Sequence, residues 1–262
     1  MSYVFVGLGN PGEEYKETRH NTGRMLLESF GKSVGAQWKE DKKLNSLVSK
    51  AKIGKTPVTL LLPNTFMNNS GKAVKSLVTS QKAGEKTVVI YDDLDLPFGT
   101  VKISFNKSSG GHKGLESIIK ALKTEKFVRI RVGISPVTSS GKIKKPKGVR
   151  SRGATSQDLV RLFQSKANEK GDKVYSSGTE DAVIKLIMGK WKESELPTLK
   201  KLSKKINSAL ETFGKSTSFS LSSSGKLKTL VWLISSGSIP KVKGASCGRV
   251  ELLIGKISSL GL

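Results

Sequence analysis

Few residues in this chain have side chains suited to acid–base chemistry. It has only two histidines, His20 and His112, and an acidic cluster, Asp92, Asp93 and Asp95, after a run of apolar residues. His20 with one of these three carboxylates makes a general base and its orienter. The aspartate fixes the imidazole tautomer and raises its basicity, so that the free ring nitrogen can take a proton from water. Asn10 and Asn68 offer amides, which grip a carbonyl without changing charge with pH. No serine or cysteine is marked as a nucleophile by its surroundings, and the single cysteine, Cys247, lies far from these clusters. The chemistry expected is hydrolysis by an activated water, without a covalent intermediate. His20 and His112 lack the i, i+4 spacing of helical metal ligands, so no metal site and no cofactor are expected.

These residues need elements that end near one another. Tyr3 to Leu8 is a short run of β-forming apolar residues closed by glycine, and reads as a buried strand delivering Asn10. Asn21 or Thr22 can cap a helix with Met25, Leu26, Phe30 and Val34 on its apolar positions. Leu47 to Ile53 and Val58 to Leu62 read as strands joined by a turn, followed by the polar stretch Asn64–Gly71 and a helix carrying Ala73, Val74, Leu77 and Val78. Further strands are expected at 87–91, before the acidic cluster, at 100–105 and at 127–134, with a helix on Leu115, Ile118, Ile119 and Leu122 between the last two. A long helix is expected over 193–213. Strands alternating with helices predict a single α/β domain with a twisted, mixed but largely parallel sheet flanked by helices. In such a sheet the strand ends after 8, 62 and 91 share one edge, where the three polar clusters can meet.

Gly7, Gly9 and Gly12 match the G-x-G-x-x-G pattern of a dinucleotide site. Pro11 stiffens that turn, and no second strand with a terminal acid follows at the required distance, so a nicotinamide-dependent oxidoreductase is the weakest reading. The charge says more: 46 basic against 21 acidic side chains give +25, an excess that favours a polyanionic partner such as RNA. No apolar run approaches the ~18 residues of a membrane span, and the first strand starts at once, so a soluble cytoplasmic protein is expected. Residues 136–179 carry ten basic and three acidic side chains among many Ser and Gly, and read as a flexible basic insertion in a domain over 1–214. The Ser- and Lys-rich stretch 215–262 reads as a C-terminal extension without an assignable role.

Five motifs, in order, narrow the reading. Val6–Tyr15 (VGLGNPGEEY), Thr18–Gly23 (TRHNTG), Pro63–Gly71 (PNTFMNNSG), Tyr91–Pro97 (YDDLDLP) and Gly110–Gly114 (GGHKG) resemble the successive signatures of bacterial-type peptidyl-tRNA hydrolases across residues 1–135, with a fainter match over 180–214. The resemblance implies a monomeric enzyme that cleaves the ester between a peptide and the terminal ribose of tRNA, and so recycles tRNA. It implies His20 as the base, Asp92 as its support and Asn10 as the third member of the catalytic group. Tyr15, Phe66, Met67, Asn68 and Lys113 are the implied substrate contacts. Lys102, Arg129 and Arg131 are candidate phosphate contacts by charge alone. Lys113 departs from the family's Asn and replaces a neutral amide by a cation. A non-catalytic RNA-binding relative on the same scaffold is the alternative that this departure favours.

The insertion is expected to add non-specific affinity for RNA through counterion release. Deleting 140–153 should therefore flatten the dependence of log K for tRNA binding on log salt, measured by titration at several ionic strengths; an unchanged slope counts against it.

Overall fold

The computed structural model describes residues 2–140, 142–144 and 180–215. The expected insertion falls mostly, and the expected extension almost wholly, outside the described residues. The strands are β1 (Tyr3–Gly7), β2 (Lys39–Asp41), β3 (Ser46–Ile53), β4 (Thr56–Pro63), β5 (Thr87–Pro97), β6 (Val101–Phe105) and β7 (Val128–Ser135). The helices are α1 (Thr22–Ser33), α2 (Ser70–Leu77), α3 (Gln81–Glu85), α4 (Lys113–Leu122), α5 (Glu180–Ile187) and α6 (Leu196–Lys215). The strands form one sheet in the order β2-β3-β4-β1-β5-β7-β6. Its centre, β4-β1-β5-β7, is parallel, and the edge strands β3, β2 and β6 run antiparallel to their neighbours.

Every residue of β1 is buried, as a strand with helices on both faces requires. On one face α2 and α4 pack Val74, Leu115 and Ile118 onto Val4, Val6, Leu61 and Val89. On the other, α1 lies over β1 and β5 and against α6, with Phe5 meeting Phe30 edge-on at 6.0 Å. A third cluster, Leu94, Ile134, Val183, Ile187, Trp191 and Leu199, docks α5 and the start of α6 near the carboxyl ends of β5 and β7.

Three details differ from the sequence-based expectation. The acidic cluster is not a loop after a strand ending at Tyr91: β5 continues to Pro97, with Asp92 opposite Val132 and Asp93 opposite Gly133. The ladder to β7 carries these polar residues because their backbones pair whatever their side chains do. The short elements β2 and α3 were not legible, being too brief for a periodic pattern. The long helix begins only at Leu196, after a 3₁₀ turn over Glu193–Glu195.

One close approach sets the position of α1. A Cβ on Gly23 would collide with the Ile90 carbonyl oxygen, so the first turn of the helix rests directly on β5, two residues before Asp92. Gly23→Ala should push helix and strand apart, destabilise the protein by about 1–3 kcal/mol in calorimetry, and reduce turnover as well, because the turn bearing His20 moves with the helix.

Candidate active site

His20 sits in a 3₁₀ turn, Arg19–Asn21, that runs straight into α1. The turn is held from both sides. The Arg19 guanidinium donates to both Glu195 oxygens at 2.7 and 2.8 Å and to the Lys190 carbonyl at 2.8 Å, with its Cζ 4.6 Å from the centroid of the Trp191 ring. This bidentate, nearly buried pair ties the turn to the segment between α5 and α6. Asn21, expected as a helix cap, makes no capping bond. Its Oδ1 accepts from Asn10 N at 2.8 Å and its Nδ2 donates to Asn10 O at 2.9 Å. Asn10 in turn accepts the Met67 backbone N–H on Oδ1 at 2.8 Å. One chain of amide bonds thus joins the end of β1, the His20 turn and the 3₁₀ turn Met67–Asn69.

Of the three aspartates, the structure selects one for His20. The His20 Nδ1 lies 3.0 and 3.1 Å from the two Asp92 oxygens, with both residues buried. Asp93 is taken by Arg131, whose Nε donates to it at 2.6 Å, and by the backbone N–H of Asp95. Asp92 has a second partner, His112, whose Nε2 lies 3.2 Å from Oδ1. His112 precedes α4, and its Nδ1 accepts from Leu115 N at 3.4 Å. That bond leaves the His112 proton on Nε2, facing the carboxylate. By the same reasoning, His20 donates from Nδ1 and keeps its lone pair on Nε2. This nitrogen is buried without a protein partner. His20 is also one of the residues around a cavity of about 10 Å³, lined besides by Asp92, Leu94, Gly111, His112, Lys113 and Ile187. That is about the room one water molecule needs.

Burial drives the Asp92 carboxyl pKa upward, but the His20 imidazole beside it and the hydrogen bonds from His112 and His20 more than offset this. The group is held well below the usual carboxylate range. The ligand atoms of His20, Asp92 and His112 lie within 4.8 Å of one another, close enough to suit a metal ion, although the sequence spacing gave no sign of it. The contacts among them are hydrogen bonds of 3.0–3.2 Å, which account for the grouping.

The other expected site residues divide. Asn10 and Met67 are buried at the joint described above. Tyr15 and Phe66 form an edge-to-face pair at 6.4 Å, with Phe66 58% exposed. Asn68 is exposed, and Lys113 is half-buried and paired with Glu116 at 3.2 Å. Lys102 is exposed and stands opposite Arg131 across the β6–β7 ladder. Arg129 is fully buried with its guanidinium 4.5 Å from the Phe127 ring, so it offers nothing to a phosphate. Charge alone had suggested it, and charge does not show that the chain covers a residue. Sequence reasoning gave no role to His112, although the Gly-Gly-His motif pointed at it, or to Arg19 and Glu195, and gave Asn21 only that of a cap.

A buried imidazole oriented by a carboxylate at the carboxyl edge of a parallel sheet, with its second ring nitrogen unpartnered and a water-sized space beside the residue, suits a hydrolase with an α/β fold. Residues 4–147 match the family model for peptidyl-tRNA hydrolase. The chain is 42% identical over 181 residues to the peptidyl-tRNA hydrolase of Aquifex aeolicus (strain VF5), covering 69% of this chain and 85% of the relative. It is 48% identical over 139 residues to that of Prochlorococcus marinus (strain AS9601), covering 52% and 70%. The crystal structure of peptidyl-tRNA hydrolase from Acinetobacter baumannii shares the fold, with a TM-score of 0.64 at 23% identity over 88% of this chain and 93% of that one. The chain belongs to the peptidyl-tRNA hydrolase family.

Because its folded-state pKa lies below the unfolded value of about 3.9, Asp92 adds stability above that pH, and this is lost as the pH falls toward the folded value. Asp92→Asn should therefore be less stable than wild type by about 1–3 kcal/mol at neutral pH. The gap should narrow below about pH 4, as urea midpoints measured at both ends of that range will show.

Proposed function

We propose that the chain carries out the reaction its family is named for, hydrolysis of peptidyl-tRNA, through a water molecule activated by His20. Nε2 takes a proton as the water oxygen bonds to the carbonyl carbon of the ester. The imidazolium formed is stabilised by the Asp92 carboxylate on Nδ1–H. When the tetrahedral intermediate collapses, the bond from carbon to ribose oxygen breaks and Nε2 returns its proton to that oxygen. The products are a peptide with a free carboxyl group and tRNA with its ribose hydroxyl restored. Asn10 donates from Nδ2 to the ester carbonyl, its Oδ1 being occupied by Met67 N–H, and Asn68 contacts the peptide side of the ester. Met67, through its place at this joint, holds Asn10 in line. Tyr15 and Phe66 form an apolar shelf on the cleft, and Lys113 contacts substrate at its rim.

The observation that carries this reading is the division of labour on one ring: His20 Nδ1 is engaged by Asp92, while Nε2 has no protein partner, and the residue lines the small cavity. Lys102 and Arg131, opposite one another on β6 and β7, are the phosphate contacts, and the basic stretch 136–179 adds RNA affinity to the domain over 1–214. Among the described residues no helix is long and apolar enough to cross a membrane; by its family resemblance we assign the chain as a monomer acting in the cytoplasm.

With N-blocked aminoacyl-tRNA as substrate, His20→Ala should lower kcat by about 10²–10⁴-fold with little change in KM, when assayed well below its own melting temperature. A His20→Ala protein that turns over at the wild-type rate removes the proposal.

A further inference from the structure

Helices α2 and α4 lie side by side on the sheet, and between them runs a groove of about 520 Å³ lined by Asn68, Asn69, Lys72, Lys113, Glu116 and Lys120, among others. One end adjoins the reaction centre, since Lys113 also lines the cavity at His20 and Asp92. Three ammonium groups face one carboxylate. Lys113 is paired with Glu116, whereas neither Lys72 nor Lys120, both exposed, stands within ion-pair distance of an acidic side chain among the described residues. Among the described residues the groove therefore carries a positive excess along its length. Lys113 and Lys120 are two helical turns apart, about 10 Å. That is the reach of roughly three residues of extended peptide.

Two arms leave the ester, one RNA and one peptide, and the groove opens at Asn68, read above as lying on the peptide side. We infer that this groove receives the last residues of the peptide and selects for carboxylate side chains among them, against lysine and arginine. The inference rests on the hydrolase reading and adds a substrate preference to it. Lys113 brings the cationic lining up to the reaction centre, where a neutral amide would leave the preference weaker.

The test uses the full chain and three N-acetylated tripeptidyl-tRNAs that share one tRNA and carry Asp, Asn or Lys at the two positions preceding the esterified residue. The expected order of kcat/KM is Asp, then Asn, then Lys. The span from Asp to Lys should be about three- to tenfold at low salt and contract toward one at roughly 0.5 M salt. In Lys72→Gln/Lys120→Gln, two changes of exposed side chains, the Asp-to-Lys ratio should fall close to one. Equal rates in wild type, or a ratio that survives in the double variant, overturn the inference. If the double variant instead weakens competition by deacylated tRNA and leaves the ratio intact, the groove serves RNA and the inference is equally wrong. Absence of turnover on all three substrates defeats the hydrolase reading itself, whereas turnover without a charge order defeats only the groove's selectivity.

Discussion

A single carboxylate, removed from water and met by two imidazole N–H groups, sets the terms for the rest of this molecule. Taking an ion out of water costs several kcal/mol even after the protein relaxes around it, so an Asp92 without partners would protonate or drag water in. His20 and His112 meet that cost from two directions and thereby fix their own tautomers. Neither imidazole is oriented alone, since the same acceptor atom, Oδ1, lies within reach of both. The reactive nitrogen of His20 is consequently defined by the fold well before any substrate arrives.

Three separate segments must converge for this to happen, and each is held by a device of its own. The strand β5 carries Asp92 inside a paired ladder, so the carboxylate starts from a rigid backbone. The turn before α1 carries His20 and is pinned by the seat of Gly23 on β5, by the Asn21–Asn10 amide pair, and by the grip of Arg19 on Glu195. The loop before α4 carries His112, which uses its remaining nitrogen to tie itself to the helix it precedes. The Arg19–Glu195 bond also explains why α5 and α6, which supply no proposed catalytic group, matter to the site. They close the apolar cluster around Trp191 and hold the far side of the His20 turn.

Much of this was legible from the sequence, for reasons that differ by element. Central strands such as β1 are unbroken apolar runs, and their polar residues fall where the run stops, so Asn10, His20 and the aspartates could be assigned to one edge. Choosing Asp92 over its neighbours needed either a family resemblance or coordinates, because alternation along a strand does not say which carboxylate a distant turn will meet. Arg129 was misread because a basic residue in a strand is ordinarily at an open face; here a covered face and the Phe127 ring enclose it. His112 passed unassigned because its partner lies twenty residues back on another strand, and nothing in local spacing encodes that contact. The Arg19–Glu195 bond spans most of the chain and leaves no local signature at all.

The charge of the chain acts on two length scales, and they should not be confused. The overall excess of +25 raises the encounter rate with a polyanion and weakens with salt over a Debye length of about 8 Å at physiological ionic strength. It cannot tell one tRNA-linked peptide from another, because every such substrate carries the same polyanion. Selection among peptides needs charges within a few ångströms of the varying side chains, which is the role inferred above for the lysines between α2 and α4. Lys113 belongs to this second scale. An ammonium paired with Glu116 at the rim of the catalytic cavity contributes little to steering, and acts only over the few ångströms around that cavity.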